Sequence, residues 1–260
     1  MKPRCALLSP LLLLCAGLLP GAASAAGIPN IAAASDLKFA LSEIAEAYTQ
    51  TSGKRVNISY GSSGIFRRQI TEGAPFELYL SADEAYVDAL RKDGRTEDGG
   101  LLYAIGRLVL YVPQGSPVKA DTELRDVIAA AKDGRLKHLA IANPEHAPYG
   151  RAAREVLQHV GAWDQLQSKL VLGENVAQAA RFASSGSAEA ALLPYSLAIS
   201  PELATHGTYV AMPESAYAPL KQRMVLIKGA GETARQFYRY LQQKEARAIF
   251  AKHAFVVPNN

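Results

Sequence analysis

The sequence predicts an α/β protein of two lobes, and three observations lead there. Short apolar runs alternate with segments of helical period from residue 28 almost to the C-terminal end. Alternation of that kind favours parallel strands covered by helices. Two long apolar strands, "GRLVLYVP" near 106–112 and "QRMVLIK" near 222–228, bracket the middle third of the chain. The helical patterns after the second of them return to the first part, which gives two crossings between lobes. The expected division is 26–108 with 212–260 in one lobe and 109–211 in the other.

The elements follow in order. Lys2 and Arg4 precede an apolar run over 6–19, and small residues follow around Ala23 and Ala25. This is the layout of a secretory signal peptide, residues 1–25, cleaved after Ala25 or nearby. The run is too short for a spanning helix. Both cysteines, Cys5 and Cys15, lie inside the signal segment 1–25, and Leu14 stands where a lipid anchor at Cys15 would need a small residue. The exported chain therefore carries no thiol, which excludes disulfides and cysteine-ligated metals. Loss of Lys2 and Arg4 lowers the formal charge from +4 to +2, too little to suggest nucleic acid as a partner.

Residues 28–34 read as a strand. Residues 36–52 read as a helix, because Leu37, Leu41, Ile44, Ala45 and Tyr48 share one face and Gly53 stops it. "RVNISY" alternates with period two and is the second strand. A helix over 62–72 carries Ile65, Phe66 and Ile70, and Gly73 closes it; "FELYLS" is the third strand and 83–92 the third helix. In the middle, "HLAIAN" is a strand and "PEHAPYG" a stiff turn. The helix that follows puts Ala152, Ala153, Val156, Leu157 and Val160 on one side. "KLVLG" leads into a helix over 174–183, and "EAALLPY" is a strand. The last two helical patterns supply Phe237, Tyr240, Leu241, Ile249 and Phe250 as core candidates.

Motifs for catalysis are missing. "GSSGI" has Ile65 where a nucleophile elbow needs glycine. There is no phosphate-binding G-x-x-x-x-G-K-[ST] loop and no H-E-x-x-H, and "GAGETA" lacks the third glycine of a dinucleotide site. Of the five histidines only His146 lies near a candidate site. No enzyme is expected; a secreted hydrolase pairing Ser63 with His146 is the alternative from another class.

The serines carry more. In open α/β lobes ligands sit at the carboxyl ends of strands, where helices begin. Those helix starts expose unpaired N–H groups and the positive end of the macrodipole. "AAAS|DLKF" and "SYGSS|GIFRR" each put serine at such a junction, where hydroxyl and amides together suit an anion. The competing reading is that Ser35 and Ser62 or Ser63 only cap their helices, at about 1 kcal/mol each. The amides of Tyr149, after "PEHAP", and of Val176, in "GENVAQA", sit at two further helix starts, and Tyr195 follows the strand "AALLP" with a phenolic donor.

Together, "AAASDLKFAL", "GSSGIFRRQI", "GAPFELYLSAD", "NPEHAPYGRAAREVLQHVGAWDQL", "GENVAQA" and "LPYS" resemble the periplasmic molybdate-binding proteins of ABC-type oxyanion importers. The resemblance runs over essentially all of the chain after residue 25. It implies a two-lobed, type II-like periplasmic-binding-protein fold with a hinged cleft. It also implies a tetrahedral oxyanion held by neutral donors: Ser35 and Ser63 through hydroxyl and amide, Tyr149 and Val176 through their amides, and Tyr195 through its hydroxyl. The implied ligand is molybdate, with tungstate, bound as the oxyanion without direct metal ligands and with no cofactor. The implied setting is the periplasm, as a monomer that serves an ABC permease of the inner membrane. Another oxyanion, sulfate or phosphate, is the alternative within this class. Two positions depart from the family. Tyr149 stands where a small residue is common, so its ring either narrows the cleft or adds a contact. Asp36 stands where leucine is frequent; it suits a first helical turn, and its carboxylate is expected to point away from an anion.

Overall fold

The structure, a computed structural model, describes residues 27–258, so the signal segment expected at 1–25 lies outside the described residues. The chain begins with β1 (Asn30–Ala34), a single 3-10 turn (Ser35–Leu37) and α1 (Lys38–Ser52). Next come β2 (Asn57–Gly61), α2 (Ser63–Thr71), β3 (Leu78–Ser81), α3 (Glu84–Lys92) and β4 (Leu101–Gly106). The middle holds β5 (Leu108–Pro113), α4 (Arg125–Asp133), β6 (Leu139–Ala142), α5 (Pro148–His159), α6 (Trp163–Leu166), β7 (Leu170–Gly173), α7 (Val176–Ser184), β8 (Ala190–Pro194), α8 (Tyr195–Ala198) and β9 (Gly207–Ala211). β10 (Leu220–Leu226), α9 (Glu232–Tyr240) and α10 (Lys244–Lys252) close the chain.

The strands form two five-stranded sheets, ordered β2-β1-β3-β10-β4 and β7-β6-β8-β5-β9, one in each lobe. Period-two alternation makes each central strand face two layers. In β1, Ile31 and Ala33 pack with Leu41, Ile44, Phe237 and Phe250 on one face, while Ala32 packs with Phe66, Tyr79 and Leu90 on the other. The second lobe is built on Leu110, Tyr111, Ile141, Val156, Leu157 and Leu193, all of them inaccessible to solvent. Helices cover both faces, which is why the strands read as apolar runs.

The sheets are mixed rather than parallel throughout. β1 runs parallel to β2 and β3, with Ile31 opposite Ile58 and Leu78. β10 is antiparallel to β3 and β4, and β5 is antiparallel to β8 and β9. The reason is the crossings. β5 follows β4 after the single residue Arg107, and β10 follows β9 after residues 212–219; a strand that arrives from the other lobe runs against its new neighbours. The long strand expected at 106–112 is β5, and that expected at 222–228 begins at Leu220; they belong to different sheets. β4, α4 and β9 lie outside the elements expected from the sequence. The carboxyl ends of β1, β2, β3, β6 and β7 point toward one cleft, and the site lies there.

Candidate oxyanion site between the lobes

One cavity lies at that convergence. Its wall on the first lobe is Ala34, Ser35, Asp36, Gly61, Ser62, Ser63 and Ala82; on the second it is Ala147, Pro148, Tyr149, Asn175 and Val176. The space between its atoms, in part open to solvent, comes to about 210 Å³. Among the described residues no lysine or arginine lines it.

Neither expected serine caps its helix through its side chain. The turn at Ser35–Leu37 has Ala34 in the capping position, and α2 has Ser62 there, but no side-chain capping bond forms at either. The Ser35 hydroxyl is buried and, among the described residues, has no hydrogen-bond partner. A buried hydroxyl without a partner is costly, and this one sits on the cavity wall. The Ser63 hydroxyl accepts from the Ala82 amide at 3.0 Å, and its carbonyl accepts from the Tyr79 hydroxyl at 2.8 Å. Its own proton remains to be donated.

On the second lobe the helix starts supply main chain. Pro148 opens α5 at a position where its missing N–H costs nothing, and the Tyr149 amide follows in the first turn, beyond the reach of any intrahelical acceptor. In α7 the Asn175 side chain does cap: Oδ1 accepts from Ala177 N at 3.0 Å and Gln178 N at 3.2 Å. The Val176 amide is left at the cavity wall. Ser35, Ser63, Tyr149 and Val176 are thus brought together. Tyr195 is not. It is absent from the wall; its amide donates to the Arg107 carbonyl at 2.9 Å, and its ring lies 4.8 Å from the Arg107 guanidinium and 5.3 Å from Tyr209. Its neighbour Ser196 turns inward instead, donating to the Asp36 carbonyl at 2.8 Å.

Asp36 requires a correction. Its side chain does not point away: the residue is 1% exposed and lines the cavity. Oδ2 accepts from Gln222 Nε2 at 2.6 Å, and Oδ1 has no partner among the described residues. Burial pushes the carboxyl up to about 6, against the lowering effect of the Gln222 and Tyr149 side chains. Gln222 is oriented by the Tyr103 hydroxyl, which donates to its Oε1 at 2.7 Å, so that Nε2 faces Asp36 and the Tyr149 oxygen at 3.2 Å. Gln222 is a residue of this site that the sequence reading passed over. Its signal is a polar side chain at a fully buried position of β10, between Lys221 and Arg223.

The lobes touch around the cavity. The His146 carbonyl accepts from Gly64 N at 2.9 Å and from the Ser62 hydroxyl at 2.6 Å, and His146 Nδ1 lies 3.0 Å from the same hydroxyl. A Cβ on Gly64 would come within 2.6 Å of that carbonyl, so only glycine allows this approach. Arg151 of α5 reaches Asp83 at 2.7 Å, an ion pair across the cleft. Burial, with the Arg68 charge, holds His146 below the ordinary histidine range. The serine it meets is Ser62 rather than Ser63.

Comparison with known proteins bears on the family and the fold. Residues 29–256 match the family described as bacterial extracellular solute-binding protein. A molybdate-binding protein of Rhodobacter capsulatus is 36% identical over 90% of each chain. The solved periplasmic molybdate-binding protein of Azotobacter vinelandii superposes with a TM-score of 0.79 at 30% identity, over 89% of this chain and 100% of that one. The sulfate-binding protein SubI of Mycobacterium tuberculosis shares the fold, with a TM-score of 0.73 at 16% identity over 89% of this chain and 87% of that one. The chain belongs to the bacterial extracellular solute-binding proteins and has their two-lobed α/β fold.

Proposed function

We propose that this protein captures a tetrahedral oxyanion, molybdate and also tungstate, in the interlobe cavity and delivers it unchanged to an ABC permease of the inner membrane. The observation that carries the reading is the wall of the cavity. A buried, unpartnered Ser35 hydroxyl, the Ser63 hydroxyl and the first-turn amides of Ser63, Tyr149 and Val176 face one small space without a cation. Neutral, aimed donors suit a small anion: helix-terminal amides favour negative charge, and cavity size with donor number can select among oxyanions. The 36% identity to a protein named for molybdate binding supports that choice of ion.

Each lobe holds part of the shell, so a closed form binds far better than an open one and the ligand shifts the population toward it. Residues 26–108 with 212–260 form one closing body and 109–211 the other. In this reading the segment 1–25 is a leader that sends the chain to the periplasm, and the chain works there as a monomer. No covalent step is needed, and no cofactor.

A thermal-shift panel of molybdate, tungstate, sulfate and phosphate tests the reading. A ligand at a hundredfold excess over its Kd adds about 2.7 kcal/mol. Molybdate and tungstate are expected to stabilise, and recovery of the ion chemically unchanged after dialysis separates binding from turnover. Equal stabilisation by sulfate or phosphate would remove the molybdate assignment.

A further inference from the structure

We infer that Asp36 is itself a member of the anion shell, and that the protein takes up one proton when it captures a fully ionised oxyanion. The inference rests on the proposed oxyanion site and goes beyond it, because that site was built from serines and amides alone.

The geometry is specific. Asp36 is buried and lines the cavity, its Oδ2 is held by Gln222 at 2.6 Å, and Oδ1, like the hydroxyl of the adjacent Ser35, has no partner among the described residues. An ionised carboxylate only accepts hydrogen bonds, and so does an oxyanion with no proton of its own. Placed side by side in a buried space they repel, and each leaves the other's lone pairs unsatisfied. One proton resolves both faults: the acid form donates from Oδ1 to the anion and keeps Oδ2 for Gln222.

No cation near Asp36 offers another solution. The groups that surround it are Gln222 from β10, Tyr149 from α5, Tyr103 from β4 and Ser196 from α8, all uncharged. α7 and β2 bring Val176 and Gly61 to the same wall. Of the basic residues on those elements and on the helix that follows Asp36, Lys38 pairs with Glu202, Arg151 with Asp83, Arg154 with Glu145, and Lys221 and Arg223 with Glu84, while Arg181 of α7 lines a different cavity. His146, at the mouth, meets Ser62. The burial that pushes the carboxyl up to about 6 brings its titration close to neutral pH.

The sign follows. Below about pH 6 the unliganded carboxyl already holds its proton, and affinity is flat. Above it, binding must draw a proton from solvent, and affinity falls tenfold for each pH unit. Calorimetric titration of the wild-type chain with molybdate from pH 6 to 9, in buffers of different ionisation enthalpy, reads both quantities. The expected result is uptake approaching one proton at pH 8 and a Kd about a hundredfold weaker at pH 9 than at pH 7. Asp36→Asn keeps an acceptor for Gln222 and a neutral donor toward the cavity, so it is expected to bind independently of pH and to exceed the wild type at pH 9. Wild-type affinity that stays constant from pH 7 to 9 with no proton uptake would overturn the inference and leave the oxyanion site standing; no binding of molybdate at any pH would bring down both. Phosphate carries a proton of its own near neutral pH. Phosphate binding tighter than molybdate at pH 8 would make ionised Asp36 an acceptor and overturn its assignment as a donor.

Discussion

The two walls of the cavity use helix starts in different ways. On the second lobe α7 begins conventionally: Asn175 caps it with two hydrogen bonds, and the ligand-facing group left over is the Val176 main chain. On the first lobe the residues at the helix starts, Ser35 and Ser62, form no capping bond, and Ser35 keeps a buried hydroxyl without a partner. One wall is therefore stable in itself and offers backbone. The other tolerates unsatisfied side chains and offers hydroxyls and a carboxyl. A local cost retained in a folded chain points to a use, and the use proposed here is the anion.

The largest break in this comparison is expected from Asp36→Asn in the absence of ligand. The folded chain holds the Asp36 proton up to about pH 6, whereas the ordinary carboxyl releases it near 3.8. Folded-state stability from this group is full below pH 4, falls as pH rises through 4 to 6, and is flat beyond. A carboxyl moved that far makes the ionised form cost about 3 kcal/mol. Asp36→Asn should thus be more stable than the wild type at pH 7–8, with a difference that vanishes below pH 4 in urea unfolding. A mutant advantage that does not depend on pH would assign it to packing.

Next is closure. Gly64→Ala sets a methyl against the His146 carbonyl of the other lobe. Within its own lobe the methyl meets only the Tyr86 hydroxyl, at 2.9 Å, the far end of a side chain that can shift, so the chain should fold yet bind molybdate at least a hundredfold more weakly, about 2.7 kcal/mol. Unchanged affinity would show that the cleft has slack at this contact.

The serines give a smaller and more diagnostic effect. Ser35→Ala removes a hydroxyl that bonds to nothing in the free protein, so stability should hold or rise while affinity falls about tenfold, the loss of a hydrogen bond to a charged group. Ser63→Ala should match that loss and also cost about 1 kcal/mol of stability or more, since the buried Ala82 amide loses its acceptor. Asn175→Ala should do the reverse of Ser35→Ala, lowering stability by about 1 kcal/mol with a lesser loss of affinity. Unfolding curves and titrations of the three variants side by side decide whether the two walls differ as described. The smallest effect is expected at Val176→Ala, whose amide is retained: affinity should stay within about threefold, and a larger loss would mean that the side chain shapes the cavity.

The sequence by itself determined the alternation of strands and helices, the two lobes and the helix starts that carry Ser35, Ser63, Tyr149 and Val176. These are local matters of period, turn residues and capping chemistry, and neighbouring residues specify them. Tertiary structure alone decided where side chains at those junctions point. Tyr195 follows its strand as expected, but Arg107 and Tyr209, far from it in sequence, hold its ring outside the cavity. Asp36 has every local reason to face solvent from a first helical turn. It is buried because Gln222 of the returning strand and Ser196 of the other lobe close over it, and no sequence pattern reports a partner 186 positions away. The direction of β5 and β10 has the same origin: an apolar run specifies a buried strand, whereas its orientation depends on which lobe the chain has just left.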